Sequence, residues 1–270
     1  MLRKAARFAI DNPAEMAINS MRTVAKRADV HPSAMLRVAR DIGFDSYESF
    51  RDRFRKMVVR ERQTGWLDRA QNIREHFPEG PNSELIGVYV NQEIANLQEA
   101  FNSEGLPKLS RAVEAIRSAR TIYIVGLRSL FPVAFYFHYV SRLFSAPSVL
   151  LTGMGGTFAD DLRSVCNKDV LVAFSYRPYT RDTVKAVDFA RDKGAQIVSI
   201  TDSRVSPIAG DGAISLIVNN TSESLFHTVL PAMAIAQVMA TLLVTNGDTA
   251  TLAEISRSQE QLDNFGVYLE

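Results

Sequence analysis

The chain has a single cysteine, Cys166, among 270 residues. That excludes an internal disulfide framework and a thiolate cluster for zinc, and it fits a reducing compartment, so the cytoplasm is the expected location. Histidine is also scarce: His31, His76, His138 and His227 are scattered, with no His-Glu-x-x-His spacing, and no metal is expected. Neither a phosphate-loop nor a dinucleotide fingerprint occurs, so no cofactor is expected either. Long apolar runs are missing too. The longest, Thr228–Val244, contains Pro231 and Gln237 and falls short of the roughly 20 apolar residues that span a bilayer, so it reads as a buried helix. The start, MLRKAARFAIDNP, is basic and amphipathic without the apolar core and cleavage site of a secretory signal. No membrane partner is expected.

What is present is enough for two domains. With 46% hydrophobic residues, the chain can bury a substantial core and is too long for one small module. The net charge of +1 hides an asymmetry: residues 1–62 hold 14 Lys/Arg against 8 Asp/Glu, net +6, and the remainder is net −5. A basic end on an acidic body points to a polyanion partner for the first part alone.

Residues 1–62 carry apolar positions at three- and four-residue spacing and no alternating pattern, which predicts helices at about 2–11, 14–19, 21–28, 33–41 and 46–60. Residues 63–105 are expected as a linker and a connecting helix: Gly65, Pro78, Gly80 and Pro81 mark a joint, and an amphipathic helix covers 83–101. Residues 106–270 change texture. The β-branched runs at 121–126, 148–152, 169–175, 196–201 and 214–218 alternate with helical patterns, which predicts a doubly wound, parallel, five-stranded α/β domain.

Within the basic part, MRTVAKRA, the connection Asp29-Val30-His31-Pro32, and SAMLRVAR have the spacing of a helix-turn-helix, whose second helix enters the major groove of double-stranded DNA. Ala25 is small enough for two helices to cross, Val30 plugs the turn, and Leu36 and Ala39 face inward. Thr23, Ser33, Ala34, Arg37 and Arg40 are the candidate DNA-contacting residues: Arg donates a bidentate pair to guanine, and Ser bonds phosphate or base. The stretch from Asn12-Pro13 through this motif to Gly43-Phe44, Tyr47 and Phe50 resembles the amino-terminal domain of the RpiR/MurR regulators over most of residues 3–60. Members of that family usually carry one further helix before this point.

The resemblance implies a sugar isomerase (SIS) domain after the DNA-binding domain, and residues 107–255 are similar to one in strand and helix order. In such domains, ligands sit at the carboxyl ends of the strands, where helix amino termini attract anions. Two loops stand there. After the first strand come Gly126, Arg128 and Ser129. After the third, the segment Ser175-Tyr176-Arg177-Pro178-Tyr179-Thr180-Arg181-Asp182-Thr183 takes the place of the family's phosphosugar loop, a Ser, any residue, Ser-Gly, then Thr or Ser. Ser175, Thr180 and Thr183 can be laid on that pattern. Arg177, Pro178, Tyr179 and Arg181 replace its glycine with bulk and positive charge, so the loop suits a phosphosugar or a sugar acid. Two further elements are weighed: Thr201-Asp202-Ser203 with Ser206-Pro207, as turn chemistry or ligand contact, and Met154-Gly155-Gly156-Thr157, as a weak anion cradle.

Together these features predict a transcriptional regulator, not an enzyme, that senses a small anionic metabolite, controls carbohydrate-metabolism genes and works as a homodimer or homotetramer. The helix at 83–101 and the aromatics Phe131, Phe135, Tyr136 and Tyr139 are candidate subunit contacts. Two alternatives stay open: a sugar-phosphate isomerase using Glu223 and His227, which would share one face if a helix includes both, and a metabolite-binding module acting on a protein partner.

Overall fold

The computed structural model describes residues 1–62, 65–77, 82–144, 147–210 and 212–269. The chain divides into two compact units, Met1–Pro78 and Glu79–Glu270.

The first unit is helical: α1 (Leu2–Asp11), α2 (Pro13–Ile18), α3 (Met21–Arg27), α4 (Pro32–Asp41), α5 (Tyr47–Arg62) and α6 (Trp66–His76). Pro13 and Pro32 each stand in a first turn, where a missing N–H costs nothing. Ala5, Ala9, Met16, Val24, Ala25, Met35, Val38, Ala39, Tyr47 and Phe50 form its core. The joint expected around Gly65, Pro78, Gly80 and Pro81 falls partly on residues 63, 64 and 78–81, which lie outside the described residues; of the remainder, α6 is a helix that the glycine and proline signals around it concealed.

The second unit runs α7 (Ser83–Ala100), α8 (Gly105–Arg117), β1 (Ile122–Gly126), α9 (Phe131–Ser141), β2 (Ser148–Leu150), α10 (Phe158–Asp161), β3 (Val170–Ser175), α11 (Arg181–Asp192), β4 (Gln196–Thr201), β5 (Ile214–Ile217), α12 (Leu230–Thr245) and α13 (Thr249–Asn264). All five predicted strands are present, every pairing is parallel, and the order is β2-β1-β3-β4-β5. β1 and β3 are buried at every position because helices cover both faces. Ile122, Ile124, Val172, Phe174 and Ile200 pack with α8, α9 and α12; Tyr123, Val125, Leu171, Ala173 and Ile197 pack with α11 on the opposite face. Such alternation follows from the two-residue period of a strand.

α12 is the apolar run of the sequence, and it buries Ala232, Ile235, Ala236, Met239, Ala240 and Leu243. Among the described residues no single helix is long and apolar enough to cross a membrane. α7, expected as a connector, is part of the second unit. It buries Glu93, Asn96 and Ala100, and Asn96 donates from Nδ2 to the Thr221 carbonyl at 2.7 Å.

Candidate functional site

In the first unit, α3 and α4 are joined by a tight turn. Asp29 takes the left-handed conformation, φ +50°, which Asp tolerates better than most side chains. The Val30 N–H donates to the Ala25 carbonyl at 2.9 Å, and Ala25 is fully buried where the helices meet. Lys4 of α1 donates to Asp29 at 2.6 Å, and that bond holds the Asp29 carboxyl below its ordinary range. Both helices are capped. The Ser20 hydroxyl accepts from the Thr23 N–H at 3.3 Å, and His31 Nδ1 accepts from the Ser33 N–H at 3.3 Å and lies 2.8 Å from the Ser33 hydroxyl.

Ser33, Arg37 and Arg40 follow one another at four- and three-residue spacing and are exposed. Among the described residues, neither arginine enters an ion pair. Thr23 is half-buried beside its cap. Ala34 corrects the expectation: it is 8% exposed and belongs to the core. The reason is that α4 packs against α1 as well as α3 and α5, so its buried stripe takes in Ala34, Met35, Val38 and Ala39 and leaves Leu36 only half-buried. Arg22 and Lys26, exposed on α3 and four apart, are cations that the sequence reasoning passed over.

In the second unit, β1 and β3 are adjacent, with Gly126 paired to Phe174, so the loops leaving their carboxyl ends lie side by side. Gly126 is required there. A Cβ at that position would stand 2.8 Å from the Leu130 carbonyl oxygen and 2.9 Å from Ala134 Cβ. Arg128 opens a 3-10 turn in the left-handed region, φ +60°, a conformation uncommon for arginine and recurrent where a site dictates the backbone. Arg128 and Ser129 are both exposed.

The β3–α11 loop is tied down from within. Ser175 is buried, and its carbonyl accepts from the Thr201 hydroxyl at 2.7 Å. The Arg177 N–H donates to Asp202 at 3.3 Å, and the Tyr179 hydroxyl donates to the other Asp202 oxygen at 3.0 Å. Burial, and then the Asp202 charge, pushes the Tyr179 phenol up to about 12. Thr180 donates to Thr183 at 2.6 Å; Thr183 is fully buried, while Arg177 and Arg181 are exposed. The two loops thus bring Gly126, Arg128, Ser129, Ser175, Arg177, Thr180 and Arg181 to one edge of the sheet, beside the amino terminus of α11. Thr183 stands behind them.

Residues 115–243 match the SIS domain model. An HTH-type transcriptional regulator of Caldanaerobacter subterraneus subsp. tengcongensis is 28% identical over 243 residues, covering 87% of this chain and 80% of the relative. The sugar isomerase domain of an RpiR transcription factor from Sphaerobacter thermophilus superposes with a TM-score of 0.59 at 24% identity, over 65% of this chain and 97% of that one. The NanR protein of Vibrio vulnificus, complexed with ManNAc-6P, gives a TM-score of 0.59 at 17% identity, over 99% of this chain and 94% of that one. The second unit thus carries a SIS domain, and the chain is similar over most of its length to HTH-type transcriptional regulators.

Asp202 is the residue whose role the sequence understated. The Thr-Asp-Ser element does turn chemistry, with the Thr201 hydroxyl 2.8 Å from Ser206 Oγ, and its aspartate also props the neighbouring loop. Met154–Gly156 is an exposed 3-10 turn closed on itself by Thr152 and Thr157. Glu223 and His227 do not share a helix face, because α12 begins only at Leu230 and both residues precede it; Glu223 is exposed. Among the described residues, no three His, Cys, Asp or Glu side chains gather as metal ligands.

Proposed function

We propose that this chain is a regulator of the RpiR family, which reads double-stranded DNA with α4 and senses a phosphosugar, or a sugar acid, at the β1–α9 and β3–α11 loops. The observation that carries the reading is the pairing of two unlike polar surfaces on one chain. α4 offers exposed Arg37 and Arg40 with no protein partner among the described residues, and the sheet edge offers Arg128, Arg177 and Arg181 beside a helix amino terminus. The ligand class in NanR supports the phosphorylated member of the pair. In this reading the SIS domain is a sensor and not a catalyst; Glu223 and His227, the pair weighed for an isomerase, precede α12 and do not share a helix face.

The regulator acts in the cytoplasm as a homodimer or homotetramer, since a helix-turn-helix addresses two half-sites about one DNA turn apart. The exposed apolar residues Ile86, Ile94, Phe135 and Tyr139 supply the second copy's docking surface. Ligand binding changes DNA affinity only by as much as it discriminates between two arrangements of the dimer. Titrating the protein with DNA from its own upstream region tests the first half: binding that weakens steeply with salt is expected, and salt-independent or absent binding rejects it. A thermal-shift screen of hexose phosphates, sugar acids and polyols tests the second, with stabilisation by anionic members expected and none after Arg181→Ala.

A further inference from the structure

The turn into α4 holds a hydrogen-bonded pair whose direction the structure fixes. Ser33 stands on the face of α4 that presents Arg37 and Arg40, and His31 precedes the helix as its N-cap; both are exposed. The Ser33 N–H points at His31 Nδ1, 3.3 Å away, and the Ser33 hydroxyl lies 2.8 Å from the same ring nitrogen. A backbone N–H only donates, so Nδ1 has to present its lone pair. A proton on Nδ1, in the other tautomer or in the imidazolium, would meet the Ser33 N–H head on; the ring therefore carries its proton on Nε2. Next to that lone pair the hydroxyl has one favourable orientation, with its O–H donating to Nδ1. The hydroxyl proton is thereby turned inward, and Ser33 shows solvent only the lone pairs of its oxygen.

The cap of α3 shows why this is not general. Ser20 Oγ accepts from the Thr23 N–H at 3.3 Å and lies 3.0 Å from the Thr23 hydroxyl, but there both partners are hydroxyls with rotatable protons, and either can donate. Thr23 can therefore serve a donor or an acceptor. Nδ1 of the His31 ring has one lone pair and, with the proton on Nε2, nothing to donate, so the α4 pair cannot reverse. In the major groove that distinction selects bases. An outward acceptor is repelled by guanine N7 and O6, thymine O4 and phosphate oxygens, and is attracted by the exocyclic amines, adenine N6–H₂ and cytosine N4–H₂.

We infer that His31 is a positioning residue that makes Ser33 an acceptor-only contact, so that α4 selects a base bearing an exocyclic amine at the position Ser33 faces. The inference rests on the DNA-reading proposal above and deepens it. Arg37 and Arg40, with donors alone, suit guanine and phosphate; Ser33 supplies the opposite polarity on the same face.

The test uses the full chain and duplexes from its own upstream region in which each base of the bound site is varied in turn. Wild type should show a position in each half-site where replacing adenine by purine, or cytosine by 2-pyrimidinone, analogues that lack only the amine, weakens binding by about three- to tenfold. Ser33→Ala keeps the N–H that His31 caps, and should lose that dependence. His31→Ala should lose it too, because the freed hydroxyl can then donate to guanine or thymine. His31→Asn should restore it, since Asn is a good N-cap whose Oδ1 accepts from both donors of Ser33. The readout is the ratio between paired duplexes; a merely structural cap would change affinity for both alike and leave the ratio where it was. A Ser33-dependent preference for guanine or thymine, or an amine dependence that survives Ser33→Ala or His31→Ala, overturns the inference and leaves α4 as the DNA-reading helix. Failure of wild type to bind any of this DNA removes both readings together.

Discussion

Helix α4 and the β3–α11 loop both carry arginines and hydroxyls, yet they treat them in opposite ways. On α4 the polar groups are presented outward: Arg37 and Arg40 project from a helix whose other side is fixed by Met35, Val38 and Ala39. In the loop most polar groups are spent internally, Tyr179 and the Arg177 N–H on Asp202, Thr180 on Thr183, and the Ser175 carbonyl on Thr201. The lesson is that a rigid helix needs no help to display a side chain, whereas an irregular loop must first satisfy its own backbone and hydroxyls before it can hold a shape. A partner of α4 therefore meets preformed cations. A ligand of the loop meets a network that it has to join.

The largest effect should come from stripping the helix. Arg37→Ala combined with Arg40→Ala is expected to lower DNA affinity by about 100-fold or more at fixed salt, from roughly 1–3 kcal/mol per contact. The salt dependence should flatten by about one counterion for each arginine that faced a phosphate. Anion binding by the second unit should be untouched. Loss of both activities would mean that the substitutions had unfolded the chain, which circular dichroism reads directly.

The next contrast lies within α4. Ala34→Leu forces three carbons into a packed core and is expected to cost about 1–3 kcal/mol of the first unit's stability. Ser33→Leu, one residue earlier and exposed, should change stability by less than about 0.5 kcal/mol while weakening DNA binding. Equal stability of the two variants in urea titrations would contradict the buried placement of Ala34.

That contrast also marks how far the residues alone carry. The five strands were legible because their β-branched runs are continuous, and the two helices of the DNA-reading motif because Pro32 and the Asp29 turn bracket them. Ala34 was misplaced because a two-helix picture gives α4 one buried edge, and the contact with α1 that widens it comes from thirty residues upstream. α8 begins at Gly105 and holds Pro107 in its first turn, where a missing N–H costs nothing. The strand-end loops were legible as a place, since topology fixes them. Their internal bonding was not, because Asp202 lies just past the end of the next strand and no local spacing ties it to Tyr179.

Removing that tie should have a moderate effect. Asp202→Asn keeps the size but weakens two hydrogen bonds to a carboxylate, each of the stronger, charge-assisted kind. Affinity for an anionic ligand is expected to fall by about tenfold as the loop loosens, with DNA binding by ligand-free protein unchanged. A gain in affinity would show instead that the Asp202 charge repels the ligand more than its bonds organise the site, and would assign the loop's present geometry to a ligand-free resting form.

The smallest effect is a matter of pH, and it isolates Tyr179. The fold raises this phenol to about 12 from its ordinary 10.0, mainly by burial and next by the Asp202 charge, so the neutral form is favoured in the native state. A raised pKa makes its stabilising contribution fully present below pH 10 and removes it as pH climbs toward 12, because the unfolded chain releases this proton first. Unfolding free energies of wild type and Tyr179→Phe should therefore stay a constant distance apart at pH 8 and 9 and then converge or cross between pH 10 and 12. Tyr176 and the lysines titrate in both proteins and cancel in the difference. Curves that remain parallel throughout would place the Tyr179 hydroxyl in water, and with it would go the picture of a loop that spends its polar groups on itself.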